Sequence, residues 1–301
     1  MTVRMGLIGA GPWARQVHAA GVADSERTEL VGVWARRAEA AKAICAEHGG
    51  QPYDSVESLL ADVDAVTFSV PPEVQAEIAT RAAAHGTHLV LEKPIAADFG
   101  SAERLAAAVT AAGVRTAVFF TGRYSDQGRE FLAAARDRTD WHGAHAVWVS
   151  GALLDGPFAS SPWRHERGAL WDVVPHAVEL LDAALGPVTA VRAAARTSHG
   201  LVQLIVDHEN GRLSEITASL RVPANPSLGV VTLFGDGGTL TFSADRTDAR
   251  TAYADLLDQL VEAIEGGGAG PECDVHRGVA IQRILQQAEE TLSDRARAPA
   301  S

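Results

Sequence analysis

Met5-Gly6-Leu7-Ile8-Gly9-Ala10-Gly11-Pro12-Trp13-Ala14 carries a short apolar run into a glycine turn and then toward a helix. Val3 to Gly9 reads as a buried strand and Pro12 to Ala23 as a helix. Pro12 suits the first helical turn, where its missing N–H is no loss. The turn is Gly9-x-Gly11-x-x-Ala14. Gly9 allows the sharp reversal, Gly11 lets backbone approach a pyrophosphate, and the small Ala14 permits close packing of helix on strand. The helix N-terminus adds free N–H groups and the positive end of its dipole. Glycines also make plain turns, so the motif takes its weight from what surrounds it.

The surroundings alternate. Thr28 to Trp34, Ala65 to Val70, Thr87 to Leu91 and Val114 to Phe120 read as strands. Ala38 to His48, Ser55 to Leu60, Glu73 to His85 and Ser101 to Ala112 read as helices, with Ser55 an N-cap. Strands alternating with helices imply right-handed crossovers and a doubly wound parallel sheet covered on both faces. Near Thr121 the pattern changes. After a helix from Asp126 to Asp137 come strands at Ala144–Leu153, Val188–Thr197, Gly200–Asp207, Arg212–Leu220, Gly229–Phe234 and Thr239–Ser243. His208-Glu209-Asn210-Gly211 and Gly235-Asp236-Gly237-Gly238 supply hairpin turns. One helix, Ala169 to Ala184, interrupts them before Gly186-Pro187. Two more, Ala252–Glu265 and Asp274–Ser293, close the chain. The joining segment Gly266–Pro271 is expected to be a mobile loop and Arg295–Ser301 to be disordered. The expectation is an α/β domain over residues 1–120 and an α+β domain with an open, mostly antiparallel sheet over residues 121–301.

The chain has 301 residues, enough for two cores, and 47% hydrophobic content to fill them. Its formal net charge of −12 repels a phosphate backbone and argues against nucleic-acid binding. No apolar run reaches the roughly 18 residues of a membrane span. Gly9, Gly11 and Pro12 interrupt the N-terminal apolar stretch and Arg15 follows at once, so a strand–turn–helix reading fits better than a signal peptide. Cys45 and Cys273 have no metal or redox spacing and fit free thiols in a reducing cytoplasm. The histidines show no ligand spacing, so no metal is expected, and His18 is given no role.

The end of the second strand bears on the ligand. A carboxylate there would hold a ribose 2′-hydroxyl and favour NAD. Here Ala35-Arg36-Arg37 follows Trp34, and no carboxylate occurs before Glu39. The two arginines either sit at a helix start or clamp a 2′-phosphate. Cations at a helix N-terminus are unfavourable unless an anion compensates. NADP(H) is therefore predicted over NAD(H). Ser69-Val70-Pro71-Pro72 ends a strand and either lines the same cleft or only terminates the strand. Leu89-Val90-Leu91 runs into Glu92-Lys93-Pro94, where the proline constrains the direction of the lysine. An ammonium at that strand end can stabilise a developing alkoxide.

The opening fingerprint, Glu92-Lys93-Pro94 and the stretch Gly168-Ala-Leu-Trp-Asp172-Val-Val-Pro-His176 together resemble the Gfo/Idh/MocA oxidoreductases, over nearly the whole chain. The resemblance implies a Rossmann domain and a second domain whose open sheet pairs with another subunit, as a homodimer or homotetramer. It implies Lys93 as catalytic lysine, Asp172 and His176 as the acid/base pair, and sugars, polyols or related hydroxy compounds as substrates. Arg123-Tyr124 resembles the pair that enters the second domain. Three departures stand out: Val174 where glycine is common, Gln75 where histidine is common, and Glu179 near a usual aspartate.

On one helix, Asp172, His176 and Glu179 would share a stripe, beside the bland reading of a solvated face carrying one histidine. In the functional reading His176 moves the hydroxyl proton, Asp172 orients it, and Lys93 holds the oxygen, all serving one nicotinamide face. Arg123, Trp163 and Arg164 are candidate substrate contacts, although Trp163 also fits a core aromatic. Two other classes remain open: an NAD-dependent redox glycoside hydrolase, which Arg36-Arg37 opposes, and a non-catalytic dinucleotide-binding regulator, which the retained Lys93 and His176 oppose.

Overall fold

β1 (Val3–Ile8) is the apolar strand ahead of the glycine turn, and only Arg4 in it is exposed. A computed structural model describes residues 2–244, 247–266 and 270–297 of the chain. β2 (Thr28–Trp34), β3 (Gln51–Pro52), β4 (Ala65–Phe68), β5 (His88–Leu91) and β6 (Thr116–Val118) join β1 in one sheet, ordered β3-β2-β1-β4-β5-β6. Every pairing in it is parallel. The order reverses between β1 and β4, so the crevice beyond their carboxyl ends is where this topology binds ligands. β3 is two residues long and exposed, too short to leave a periodic signal.

The helix after the turn departs from the expected Pro12–Ala23 α-helix. Ala14–Ala19 is π-helical, and α1 (Ala20–Asp24) continues it. α2 (Ala38–His48) and α3 (Val56–Leu60) follow, and Ser55 accepts the Ser58 N–H as the N-cap of α3. α4 (Pro72–Ala84) and α5 (Phe99–Ala112) complete the crossovers, with α5 capped by Asp98. The short α6 (Thr121–Tyr124) comes next.

The chain divides into two compact units. Residues to Tyr124 join Asp248–Ala280, and Ser125–Thr247 join the residues from Ile281 onward. The division at residue 120 expected from sequence puts both closing helices in the second unit. The structure instead returns Asp248–Ala280 to the first. The reason is packing: Tyr253 of α10 (Ala249–Ile264) is fully buried against Gly21, where a Cβ would come within 2.4 Å of its ring. Arg27 bonds Glu265 at 2.9 Å across the same contact.

In the second unit α7 (Asp126–Arg136) precedes β7 (Trp141–Val149), β8 (Val188–Arg196), β9 (Val202–His208), β10 (Leu213–Ser219), β11 (Leu228–Gly235) and β12 (Gly238–Ser243). The sheet order is β12-β11-β7-β10-β9-β8. All pairs are antiparallel except β7 with β10. β9 and β10 alternate buried and exposed residues, as a sheet covered on one face requires.

The single helix expected over Ala169–Ala184 is two. α8 (Pro162–Asp172) is interrupted at Gly168, whose φ of +64° suits glycine, and α9 (Val174–Leu185) begins afresh after Val173. Pro175 lacks an N–H and its ring displaces the carbonyl four residues back, so a continuous helix cannot pass. α11 (Val275–Arg297) runs past the expected end at Ser293 and into the segment expected to be disordered. Of the expected mobile loop, residues 267–269 lie outside the described residues, as do residues 298–301 of the tail. Among the described residues no helix is long and apolar enough to cross a membrane.

Candidate active site

Gly9 adopts φ +122°, and a Cβ there would lie 2.2 Å from the Ser69 carbonyl oxygen. Only glycine fits. The Gly9 N–H donates to Trp34 O at 2.9 Å and the Ser69 N–H to Ile8 O at 2.9 Å, which fixes the turn against both neighbouring strand ends. At Gly11 a Cβ would meet nothing within 4 Å, so open space lies above that backbone. Ala14 is fully buried, as the small-residue position requires. Pro12 is exposed and Trp13 half-buried. A glycine-only turn, open space over the second glycine and a helix start beyond it fit a dinucleotide pyrophosphate.

Ala35 is half-buried and Arg36 and Arg37 are exposed just beyond β2. Arg37 occupies the N-cap position of α2 without capping it through its side chain. The first carboxylate after the strand, Glu39, bonds Lys42 at 2.8 Å. The strand end therefore presents two guanidinium groups, and the first carboxylate after it is paired with Lys42.

Trp13 reaches out of the turn and donates its indole N–H to Glu92 Oε1 at 2.7 Å. His18 Nε2 lies 3.1 Å from the same oxygen, and the Lys93 backbone N–H donates to Glu92 Oε2 at 3.2 Å. The glycine turn and the lysine-bearing turn are thus joined through one carboxylate. The Lys93–Pro94 peptide is cis, and Lys93 is half-buried. A second clamp comes from Gln75, which is fully buried on α4. Its Oε1 accepts the Glu92 N–H at 2.8 Å. Its Nε2 donates to Glu92 O at 2.7 Å and lies 3.3 Å and 3.2 Å from the Pro94 and Ile95 carbonyls. Pro71 forms the N-cap of the helix that carries Gln75.

His18, Thr67 and Tyr253 are the residues that sequence reasoning missed in this unit, and Gln75 was noted only as a departure. The signal was a polar residue inside a buried apolar face. His18 lies among Val17, Ala19 and Ala20, and Gln75 beside Ala76, Ile78 and Ala79. Arg123, expected to contact substrate, pairs with Glu272 within the first unit.

In the second unit Asp172 is buried at the end of α8, and His176 is half-buried in the first turn of α9. The two therefore do not sit on one continuous helix, and the stripe argument through residue 179 does not hold across the break. The His176 N–H donates to Val173 O at 3.2 Å, and its ring stacks on Trp148 with centroids 5.6 Å apart and planes 15° from parallel. Arg164 Nε donates to Asp172 Oδ2 at 3.0 Å. Its guanidinium carbon lies 4.5 Å from the ring centroids of both Phe158 and Trp163. Trp163, half-buried, thus stacks on Arg164. Glu179 is fully buried.

Residues 3–120 match the oxidoreductase family with an NAD-binding Rossmann fold, and residues 142–241 match the GFO/IDH/MocA C-terminal domain. The chain is 36% identical over 271 residues to 1,5-anhydro-D-fructose reductase of Ensifer adhaerens, covering 86% of this chain and 76% of that one. It is 26% identical over 302 residues to inositol 2-dehydrogenase of Rhizobium meliloti, covering 89% and 90%. The crystal structure of GenD2 from gentamicin A biosynthesis in complex with NAD has the same fold, with a TM-score of 0.86 at 21% identity over 98% of this chain and 95% of that one. A parallel sheet of this order, a glycine cradle and a mixed-sheet second unit define a dinucleotide-dependent oxidoreductase. The chain belongs to the Gfo/Idh/MocA family and is an NAD(P)-dependent oxidoreductase.

Proposed function

We propose that the protein moves hydride between NADP(H), in preference to NAD(H), and a hydroxyl- or carbonyl-bearing carbon of a sugar, polyol or related small molecule. The observation that carries this reading is the Trp13–Glu92 hydrogen bond, which ties the turn fit for pyrophosphate to the turn that bears Lys93. The names of the relatives, a reductase of an anhydrofructose and an inositol dehydrogenase, support the substrate class.

Gly9, Gly11, Pro12, Trp13 and Ala14 hold the pyrophosphate end, Ala35, Arg36 and Arg37 the adenosine end, and Ser69, Pro71, Glu92 and Lys93 the remaining wall. Bound nicotinamide supplies the hydride acceptor in oxidation and the donor in reduction. Lys93 donates a hydrogen bond to the substrate oxygen and stabilises negative charge there. His176 takes the hydroxyl proton in oxidation and returns it to the carbonyl oxygen in reduction. Asp172 orients His176, and Arg164 holds Asp172. Trp163 borders the substrate, and Arg123, within α6, pairs with Glu272.

The test is an absorbance assay of reduced nicotinamide with both cofactors against a panel of sugars and polyols. Turnover with NADP(H) on at least one member is expected. A tenfold or greater preference for NAD(H) would sink the cofactor assignment. Replacing Arg36 and Arg37 together by alanine should weaken NADP(H) binding by about tenfold to a hundredfold, the worth of one lost charge-assisted hydrogen bond. NAD(H) binding should barely change.

The uncovered side of the second sheet exposes Ile205, Leu213 and Phe234, at 39%, 38% and 43%. We assign that face to a second copy of the chain, since an isologous dimer buries such a surface against itself. Light scattering should give a dimer or tetramer. Ile205→Glu with Phe234→Glu should give a smaller species, and an unchanged mass would move the interface elsewhere. With Cys45 and Cys273 both free, we place the enzyme's work in the cytoplasm.

A further inference from the structure

Behind the glycine turn runs a buried polar chain of four side chains. Tyr253 Oη donates to Thr67 Oγ1 at 2.7 Å, Thr67 Oγ1 lies 2.7 Å from His18 Nδ1, and His18 Nε2 lies 3.1 Å from Glu92 Oε1. Thr67, His18 and Tyr253 are each fully buried, so none can exchange its partner for water. Phe119 closes one side of the imidazole edge-on at 6.2 Å, and the Tyr253 ring lies 4.8 Å from it on another. A hydrogen-bond donor in such a place has to be used.

The direction of the chain follows from the inventory of donors and acceptors. Burial pushes the Tyr253 phenol well above its ordinary range, so it remains a donor. Having received that proton contact, Thr67 turns its own O–H toward His18 Nδ1. Nδ1 must then be the bare nitrogen, and the imidazole proton sits on Nε2, facing Glu92. The reverse arrangement would leave the Tyr253 O–H unused and set a lone pair on Nε2 against a carboxylate oxygen. Glu92, in turn, receives the Trp13 indole N–H and the Lys93 backbone N–H.

We propose that His18 is a positioning residue for the reaction. Its tautomer, dictated by Tyr253 and Thr67, commits Nε2–H to Glu92 and so fixes the carboxylate that aligns Lys93 with the nucleotide cradle. This rests on the reading of Lys93 given above. His18 touches neither cofactor nor substrate in this role. It acts through Glu92, and Thr67 and Tyr253 act through it.

The experiment compares wild type with Thr67→Val, Thr67→Ser and Tyr253→Phe in the full-length protein. Nitrogen-15 spectra of histidine-labelled protein report the tautomer, the Trp13 indole proton reports the Glu92 contact, and steady-state kinetics report turnover. Wild-type His18 should show the neutral pattern with the proton on Nε2. Thr67→Val should lose that pattern and shift the Trp13 resonance. Its kcat should fall about tenfold, in line with a small misplacement of a catalytic group. Cofactor affinity, read by tryptophan fluorescence, should stay within about twofold. Tyr253→Phe should move the same readouts in the same direction, and Thr67→Ser should restore them. A wild-type His18 protonated on Nδ1, or a Thr67→Val variant with unchanged kcat, overturns the proposal. If wild type transfers hydride to no substrate, the assigned reaction fails, and the two resonances then decide the relay. Movement in Thr67→Val supports it, and no movement refutes it.

Discussion

Replacing His176 by alanine lowers turnover by about a hundredfold or more, the usual range for a general acid–base group. Replacing Lys93 by alanine lowers it by about a hundredfold to a thousandfold, as loss of one preorganised donor at a developing oxyanion does. For His176→Ala cofactor affinity is expected to stay nearly intact, because His176 is no part of the cofactor wall, whereas Lys93→Ala also removes one residue of that wall. The two losses should also fall on kcat and kcat/KM together, the pattern of an interaction made in the transition state. Stability is a separate reading. His176 is half-buried against Trp148, and its loss removes one stacked ring. Lys93→Arg makes a useful control: the charge is kept while the planar fork changes its geometry. Near-normal rates in both alanine variants would mean that the reaction is carried by other groups.

Gln75→Leu has the largest expected effect on stability. Leucine fits the volume but leaves the Glu92 N–H without its acceptor and takes the donor away from the Glu92, Pro94 and Ile95 carbonyls. Each buried group stranded this way costs roughly 1–3 kcal/mol, so for these groups together about 4 kcal/mol or more is expected. In a chain of this size that lowers the melting temperature by several degrees, at about 2–4 °C per kcal/mol. Gln75→Glu keeps the acceptor but aims a carboxylate at three carbonyl oxygens, and should be no better. Thermal unfolding and kcat are measured on the same preparations. Turnover should drop in the folded fraction of Gln75→Leu, since the turn that directs Lys93 loses its clamp. A melting temperature within a degree of wild type would show that the clamp holds nothing.

The elements that depend on local sequence were legible. Val3–Ile8, the glycine turn, the alternation through residue 112 and the hairpin turns of the second unit all read directly, because their periodicity and turn chemistry are local. The parallel pairing of β7 with β10 was not, since those strands are joined by long-range contacts that no hairpin signal announces. The split of the helix near Val173 was available in Pro175 and Gly168, but the apolar spacing of Leu170, Val174, Ala177 and Leu181 outweighed them. Arg164 looked like a free substrate contact, and only the fold shows it bonded to Asp172. His18 lacked any neighbour of matching spacing, because its partners come from residues 67, 92 and 253 and meet only in three dimensions.

The return of Asp248–Ala280 to the first unit has a consequence for biosynthesis. Val118 N–H bonds the Cys273 carbonyl at 2.6 Å, Val275 N–H bonds Thr116 Oγ1 at 2.9 Å, and Tyr253 fills the notch over Gly21. A ribosome that has delivered all six strands of the first sheet, ending at Val118, has not yet made any of those partners. At ordinary elongation rates the nascent sheet waits roughly ten to thirty seconds with that flank open. The intervening 123 residues of the second unit, Ser125–Thr247, are translated during the wait. The nucleotide cradle is thus encoded first and finished nearly last.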